Sequence, residues 1–214
     1  MDIRSRQTNG RVIHWARFYD PMIKVLTLGK EREVREATLD LAGLCKGERV
    51  LDVGCGTGNL TLWAKNRVGE TGTVCGIDPA PEMVEAARGK SADAGVDIEL
   101  RTGVIERIPF PEDTFDVVLS SFMVHHIPED VKRAGFKEVR RVLVPGGRLL
   151  VVDIEPTDLP LLGALFTHLI GHGRIRGNIN ALPALLKEAG FDGVEVGRTA
   201  YSPVSYALAV TEGS

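Results

Sequence analysis

Short apolar runs alternate with longer amphipathic stretches along most of this chain. Arg49–Val53 is short, apolar and β-branched, as a buried parallel strand should be, and Thr73–Ile77 is a second such run. Helices are predicted from Gly58 and over Pro81–Ala94, where proline occupies the first turn. Strands that alternate with helices in this way predict an α/β fold with a doubly wound parallel sheet.

The second half of the chain continues this alternation and then changes at its end. Its predicted strands and helices are Asp97–Arg101, Phe115–Ser120, Glu129–Leu143, Arg148–Ile154 and Leu182–Ala189. The third of these is a helix that stops before Pro145-Gly146-Gly147, and the last is a helix stopped by Gly190. Gly193–Thr199 and Val204–Thr211 then alternate as two strands around a short turn, which predicts a C-terminal hairpin.

The length of 214 residues suits one α/β domain with a large core rather than two. We expect residues 1–214 to form that single domain. Within it, residues 1–44 form a helical cap, with the helical pattern running roughly over residues 12–44, and residues 155–180 form an insertion.

The run Leu51–Gly58, with glycine at alternate positions, follows the first predicted strand, and Asp78 arrives twenty residues later. Such glycines let the backbone turn tightly and bring a ligand against bare main chain. A dinucleotide turn reads G-x-G-x-x-G, but here Asn59 fills the third glycine position, which makes a bound pyrophosphate less suitable. Asp52 before the turn suits a cationic amine instead. S-adenosylmethionine has such an ammonium, an adenosine and no phosphate.

Four motifs in order resemble the class I S-adenosylmethionine-dependent methyltransferases over nearly the whole chain. They are Leu51–Gly58, Ile77-Asp78-Pro79 with Met83, Ile108–Val118 and Glu138–Leu149. The nearest resemblance is to the branch with the ubiquinone and menaquinone biosynthesis methyltransferases. It implies a Rossmann-like seven-stranded sheet with an antiparallel C-terminal hairpin, S-adenosylmethionine as cofactor and S-adenosylhomocysteine as product.

The resemblance also implies a cofactor site at the carboxyl ends of the strands. Asp52 would lie near the methionine ammonium, Asp78 would hold the ribose, and Met83 would pack on the adenine unless it is ordinary helix core. The full predicted set is Tyr19, Asp52, Gly54, Cys55, Gly56, Gly58, Asn59, Asp78, Pro79, Met83, Gly103, Val104, Ile105, Ser120 and His125.

One segment departs from the family pattern. Where relatives commonly have Gly-Asp-Ala-Glu after the third strand, this chain has Gly103-Val104-Ile105-Glu106. The acid that accepts from the adenine amino group is therefore replaced by Val104. Losing one such hydrogen bond costs on the order of 1 kcal/mol, so we expect weaker cofactor binding rather than its loss.

His125 and Tyr19 are the predicted catalytic residues. The His125-His126 pair follows the fourth predicted strand. Three roles are open for it: a general base, part of the cleft wall on the cofactor side, or a purely structural role. Tyr19-Asp20 resembles a pair that closes over the cofactor in relatives, although it also fits an ordinary apolar helical face. Methyl transfer needs a base only for an acceptor that must lose a proton early.

The apolar run Leu159–Ile170 and the basic, glycine-rich Gly171–Gly177 lie in the insertion. This segment is interpreted as a lid for an apolar or lipid-like acceptor, with possible membrane contact. The alternatives are a helix that packs on the edge of the sheet and ends in a solvated basic turn, or a dimer surface. Neither a monomer nor a homodimer is favoured.

The leading functional hypothesis is methylation of a small, apolar acceptor at O, N or C. A net charge of −3 and a pI near 6.0 argue against a nucleic-acid partner. A non-catalytic cofactor-binding protein and a protein or nucleic-acid methyltransferase are the alternatives.

Polar first residues and the lack of a long apolar run predict a cytoplasmic protein. Cys45, Cys55 and Cys75 lack metal-ligand spacing, so no metal is expected.

Overall fold

The computed structural model describes residues 8, 10, 12–13, 16–27, 29–154, 179–201 and 204–213. Its strands are β1 (Arg49–Val53), β2 (Thr73–Asp78), β3 (Glu99–Thr102), β4 (Phe115–Ser121), β5 (Leu143–Ile154), β6 (Gly193–Arg198) and β7 (Val204–Val210). They form one sheet in the order β3-β2-β1-β4-β5-β7-β6. β1 to β5 are parallel, and β7 runs antiparallel between β5 and β6. The predicted Rossmann-like seven-stranded sheet with its C-terminal hairpin is confirmed.

The described helices are α1 (Ala16–Leu26), α2 (Glu31–Ala42), α3 (Asn59–Val68), α4 (Pro81–Ala94), α5 (Glu129–Val142) and α6 (Leu182–Glu188). Short 3-10 turns cover Val124–His126 and Ile179–Ala181. The helical pattern predicted over residues 12–44 is two helices, because the chain breaks at Gly29, whose φ of 78° is left-handed.

The two faces of the sheet pack against different helices. Leu51 and Val118 belong to a core cluster that includes Phe136 of α5, whereas their neighbours Val50 and Val117 belong to a cluster with α2 and α3. All five side chains are fully buried. Successive strand residues point to opposite faces, so a strand that is apolar at every position is covered on both sides.

β5 begins five residues earlier than predicted, at Leu143 instead of Arg148. Leu143 pairs with Phe115 and Arg148 pairs with Val117, so β5 contains extra residues opposite β4. The Pro145-Gly146-Gly147 turn signal therefore forms an irregularity inside the strand, where proline needs no ladder hydrogen bond.

β1 and β4 lie next to each other, although two further strands separate them along the chain. The chain winds outward from β1 to β3 and then returns to β4, which places a topological switch point between β1 and β4. Ligands of open α/β sheets bind outside the carboxyl ends of the strands at such a point.

The predicted organisation of the chain is described only in part. Residues 155–178, with the run Leu159–Ile170 and the segment Gly171–Gly177, lie outside the described residues. The single domain over residues 1–214 and its cap and insertion stay predictions. Among the described helices, none is long and apolar enough to cross a membrane.

Candidate functional site

A cleft with an empty volume of about 670 Å³, its open mouth included, lies at the carboxyl ends of β1 to β4. We call it the main cleft. Its lining comes from the glycine turn after β1, the end of β2, the loop after β3, the segment after β4 and the N-terminal region: Thr8, Gly10, Val12, Ile13, Tyr19, Val53, Gly54, Gly56, Ile77, Asp78, Pro79, Met83, Gly103, Val104, Ile105, Glu106, Phe122, Met123, His126 and Ile127.

A narrower cavity adjoins the main cleft, and its empty volume, open mouth included, is about 310 Å³. The two share Tyr19, Gly54 and Phe122, so they meet at the glycine turn. The other residues of the narrow cavity are Arg35, Asp52, Cys55, Thr57, Asn59, Leu60 and Ser121.

The glycines of the turn are required by backbone conformation and by close packing. Gly54 has a φ of 77°, and a Cβ there would lie 2.6 Å from Met123 Cγ. Gly58 has a φ of 82°, and its Cβ would lie 2.8 Å from the Cβ of Ala87 on α4. The turn can therefore approach both a ligand and a helix only without side chains at these positions.

Asp78 joins the glycine turn to the end of β2. Its Oδ2 accepts from Gly56 N at 2.9 Å and its Oδ1 accepts from Ala80 N at 2.9 Å. Each carboxylate oxygen can accept more than one hydrogen bond, and Asp78 lines the main cleft. The two amides thus fix the orientation of the carboxylate at the wall of the main cleft.

Asp52 places a buried carboxylate at the wall of the narrow cavity. Thr61 Oγ1 donates to its Oδ2 at 2.7 Å, and the residue is 1% exposed. Burial raises the pKa of Asp52 to about 6 and nearby Asp78 adds to the rise, while the Thr61 hydroxyl and the Arg35 guanidinium oppose it. A carboxylate that is costly to ionise would be stabilised by a cation in the cavity.

Arg35 of α2 lines the same cavity and is 8% exposed. Its Nε donates to Glu31 Oε1 at 2.9 Å, whereas its two terminal nitrogens make no hydrogen bond to residues that the structure describes. A guanidinium with an open fork binds a carboxylate well. The sequence interpretation missed Arg35; its only signal is a charge at a helical position flanked by buried Val34 and Thr38.

Tyr19 of α1 lies over the turn where the two cavities meet. Burial raises its pKa to about 12, with Asp78, Asp20 and Glu31 contributing, although Arg35 opposes the rise. The phenol therefore keeps its proton near neutral pH. It can donate a hydrogen bond there, but it is a poor general base.

A polar network holds α1 against the glycine turn and α4. Asp20 accepts from Thr57 Oγ1 at 2.6 Å and from Lys90 Nζ at 2.5 Å. Lys90 also donates to Thr57 Oγ1 at 2.9 Å and to Asn59 Oδ1 at 2.5 Å, and Asn59 Nδ2 donates to Glu31. Asn59, which occupies the third glycine position of the dinucleotide pattern, thus helps to hold the N-terminal helices against the turn.

The two adjacent histidines point to different surroundings. His125 is buried, its Nδ1 lies 2.5 Å from Asp153 Oδ1, and its backbone N donates to Asp153 Oδ2 at 2.8 Å. His126 is half-buried and lines the main cleft, and its ring centroid lies 3.8 Å from that of His125. The structure therefore brings His126, and not His125, to the cleft.

The loop after β3 keeps its backbone near the main cleft while its side chains differ from the family pattern. Val104 is buried, and its carbonyl accepts from Arg107 N at 3.2 Å. Glu106 also lines the cleft, and its Oε2 is buried without a hydrogen-bond partner among the described residues. The wall at this point is apolar except for that carboxylate.

Most of the predicted site residues line one of the two cavities. In the main cleft these are Tyr19, Gly54, Gly56, Asp78, Pro79, Met83, Gly103, Val104 and Ile105. Asp52, Cys55 and Asn59 line the narrow cavity. Gly58, Ser120 and His125 line neither: Gly58 packs on α4, Ser120 is buried in β4 and His125 contacts Asp153. Neighbouring Ser121 lines the narrow cavity, and its Oγ has no hydrogen-bond partner among the described residues.

The chain is similar to known proteins over most of its length. A family model described as a methyltransferase domain matches residues 50–147. A ubiquinone/menaquinone biosynthesis C-methyltransferase of Escherichia fergusonii is 33% identical, and the match covers 83% of this chain and 79% of that protein.

Solved structures are also similar. A SAM dependent methyltransferase from Aquifex aeolicus is 27% identical with a TM-score of 0.66, covering 82% of this chain and 88% of that one. A structure from Methanococcus maripaludis, 17% identical with a TM-score of 0.73 over 97% of both chains, shows the same fold. The chain therefore belongs to the class I S-adenosylmethionine-dependent methyltransferases, near the ubiquinone and menaquinone biosynthesis branch, and its cofactor is S-adenosylmethionine.

Proposed function

We propose that this methyltransferase transfers its methyl group to a small, apolar acceptor, with the cofactor spanning both cavities. The main support for this position of the cofactor is the pair of opposite charges in the narrow cavity. Asp52 and Arg35 line the narrow cavity, which shares Gly54 with the cleft that Asp78 lines. A nucleoside that carries an α-amino acid group has a matching sequence of charges and hydroxyls.

In this proposal each polar group of the cofactor meets a fitting group of the chain. Asp52 receives the ammonium, and the open fork of Arg35 receives the carboxylate. Asp78 accepts from the ribose hydroxyls, since its orientation is fixed by two backbone amides. Met83, Val104 and Ile105 give the base an apolar pocket. Val104 removes one acceptor for the adenine amino group, so we still expect weaker binding than in relatives with an acid there.

The bound cofactor supplies an electrophilic methyl group on a sulfonium. The chain's own contribution is positioning and exclusion of water, which can supply much of the rate enhancement of a substitution. Tyr19 and Phe122 line both cavities, and Met123 packs on Gly54, which also lines both. The network of Asp20 and Lys90 keeps α1 in that position.

The acceptor side of the main cleft supports an apolar substrate. Val12, Ile13, Met123 and Ile127 also line the main cleft, and none of them is needed for the cofactor contacts proposed above. The curated relatives are named as C-methyltransferases of quinone biosynthesis, which are enzymes with small-molecule substrates. We propose a small, aromatic or quinol-like acceptor, methylated at carbon or oxygen.

We also propose that residues 1–214 form a single domain. The support is that all seven described strands, from β1 near residue 49 to β7 near residue 210, belong to one sheet.

A screen with labelled cofactor tests the proposed function. Purified protein is incubated with S-adenosylmethionine that carries a tritiated methyl group and with 1,4-naphthalenediol, catechol or tyramine, under reducing conditions. We expect an organic-extractable methylated product of one of the two diols, in an amount equal to the S-adenosylhomocysteine formed. Turnover of tyramine alone, or no methylated product despite cofactor binding, would contradict the proposed acceptor class.

A further inference from the structure

We propose that Thr61 is a positioning residue of the cofactor site, where its hydroxyl orients the Asp52 carboxylate toward the ammonium of the cofactor. The inference rests on the proposed function, since it uses the role given there to Asp52. Thr61 is the third residue of α3, and it lines neither the main cleft nor the narrow cavity. Any effect of Thr61 on a bound ligand must therefore pass through Asp52.

The hydrogen bond between Thr61 and Asp52 joins two buried groups. Thr61 is fully buried, Asp52 is 1% exposed, and Thr61 Oγ1 lies 2.7 Å from Asp52 Oδ2. This distance lies in the range of a hydroxyl that donates to an ionised carboxylate, which is a stronger hydrogen bond than one between neutral groups. The contact therefore fixes one oxygen of the carboxylate in place.

The second oxygen of Asp52 remains for the narrow cavity. Asp52 lines that cavity, and none of the residues that the structure describes donates a hydrogen bond to its Oδ1. Because Thr61 holds Oδ2 from outside the cavity, it sets the direction of Oδ1 at the same time. An ammonium then meets an acceptor that is already oriented, so less side-chain freedom is lost on binding.

The glycine turn brings the first turn of α3 back against β1. Leu62 N donates to Gly58 O at 2.9 Å, which begins the helical hydrogen bonds directly after the turn. Two successive residues of this helical turn then have different surroundings, because Leu60 lines the narrow cavity while Thr61 contacts Asp52. The positive end of the α3 dipole also lies here and favours a charged carboxylate.

The charge on Asp52 depends on several opposing effects. Burial raises the pKa of Asp52 to about 6 and Asp78 at the end of β2 adds to the rise, while the Thr61 hydroxyl and Arg35 of α2 lower it. A hydrogen bond to the charged form stabilises that form, so removal of the hydroxyl raises the pKa further. Asp52 would then lose its charge at a pH closer to neutrality.

The other ionisable groups near Asp52 do not explain such a change. Burial raises the pKa of Tyr19 to about 12 and raises that of the Cys55 thiol well above its ordinary range, so both keep their protons at neutral pH. Glu31 accepts from Arg35 and from Asn59. These groups are the same in the wild type and in variants of Thr61, so a difference between these proteins reports on Asp52.

The test compares S-adenosylhomocysteine with 5′-methylthioadenosine, which has the same nucleoside and a thioether but no amino-acid part. Calorimetry gives both dissociation constants from pH 8 to pH 5.5. We expect the relative affinity of S-adenosylhomocysteine to fall with a midpoint near pH 6 in the wild type. In Thr61→Val the midpoint should lie roughly one pH unit higher, because one hydrogen bond to a charged group is lost. Thr61→Ser keeps the hydroxyl and should keep the wild-type midpoint.

A double-mutant cycle shows whether Thr61 acts through Asp52. In the Asp52→Asn background, Thr61→Val should change the relative affinity less than twofold. An effect as large as in the wild-type background, or equal losses for the two ligands, would mean a general structural role and overturn the inference. Thr61→Ala also lacks the hydroxyl and should give the same midpoint as Thr61→Val, which keeps the test open if valine disturbs the fold.

Thr38→Val is the matched control. Thr38 is a buried threonine on α2 whose hydroxyl donates to Val34 O at 2.8 Å, so its replacement should leave the midpoint unchanged. A raised midpoint in this control, or the same midpoint in the wild type and in Thr61→Val, would overturn the role of Thr61 and leave the proposed function intact. Failure of S-adenosylhomocysteine to bind the folded wild type at pH 8 would instead overturn the proposed cofactor position.

Discussion

Asp52 holds a negative charge inside the protein with Thr61 as its hydrogen-bond donor. Its pKa of about 6 in the folded protein lies above the ordinary value of 3.8, so the folded state binds this proton more tightly than the unfolded chain. Stability is therefore lost as the pH rises from about 4 to about 6. The difference corresponds to on the order of 3 kcal/mol at neutral pH. A carboxylate that lowers the stability of the fold in this way is expected where it binds a ligand.

The substitution Asp52→Asn separates stability from binding. We expect the ligand-free variant to unfold at a higher temperature than the wild type at pH 7.5, with less loss of stability between pH 4 and pH 6. Its affinity for S-adenosylhomocysteine should fall at least tenfold, because the ammonium loses its counter-charge. Thermal unfolding and calorimetric titration measure the two effects. Exposed Asp97→Asn is the control, and a destabilised Asp52→Asn would contradict the burial argument.

Arg35 is predicted to act only on ligands that have a carboxylate. We expect Arg35→Met to weaken S-adenosylhomocysteine binding at least tenfold and to leave 5′-methylthioadenosine, which lacks the amino-acid part, within twofold of its wild-type affinity. Arg32→Met, on an exposed position of the same helix, serves as the control. Equal losses for both ligands would mean that Arg35 supports the fold and does not contact the carboxylate.

At the scale of elements, α1 is held by half-buried polar groups. Lys90→Met removes three hydrogen bonds, to Asp20, Thr57 and Asn59. We expect faster amide hydrogen exchange over residues 16–27 and faster dissociation of S-adenosylhomocysteine, while exchange in the sheet stays unchanged. Hydrogen exchange with mass spectrometry measures this. Exposed Lys137→Met is the control, and unchanged exchange in α1 would show that apolar packing alone docks the helix.

Arg148 ties α2 to the middle of the sheet. Its guanidinium donates to the carbonyls of Ala42 and Gly43 at the end of α2 and forms a bidentate pair with Glu48. We expect Arg148→Met to lower the free energy of unfolding by about 2–3 kcal/mol, since the helix end loses its donors. The more exposed pair of Arg67 and Asp40 should contribute less than about 1 kcal/mol. Urea unfolding of Arg148→Met and Arg67→Met compares them.

The elements themselves were predictable where pattern and turn chemistry agreed. β1, with its glycine turn, and α4, with its first-turn proline, begin and end almost where the sequence indicates. β5 was predicted too short, because a Pro-Gly-Gly signal is the same for a turn and for a bulge inside a strand. Whether the signal forms a turn or a bulge depends on the pairing of Leu143 with Phe115. This pairing cannot be predicted from the neighbouring sequence.

For the molecule as a whole, the sequence predicts the site where its residues lie at the carboxyl ends of strands. Asp52, Gly54 and Asp78 are such residues, and each lines one of the two cavities. Arg35 was missed because α2 reaches the site only through tertiary packing. Which of the two histidines lines the main cleft also depends on tertiary packing. Asp153, which is 28 residues away in the chain, contacts His125, and His126 lines the cleft.

Calorimetric titration with S-adenosylhomocysteine shows whether the site around Asp78 binds the cofactor. We predict micromolar affinity for the wild type and for the exposed-site control Asp97→Ala, and loss of detectable binding in a folded Asp78→Ala variant. No binding to the folded wild type, or equal affinity in Asp78→Ala, would contradict this account of the site.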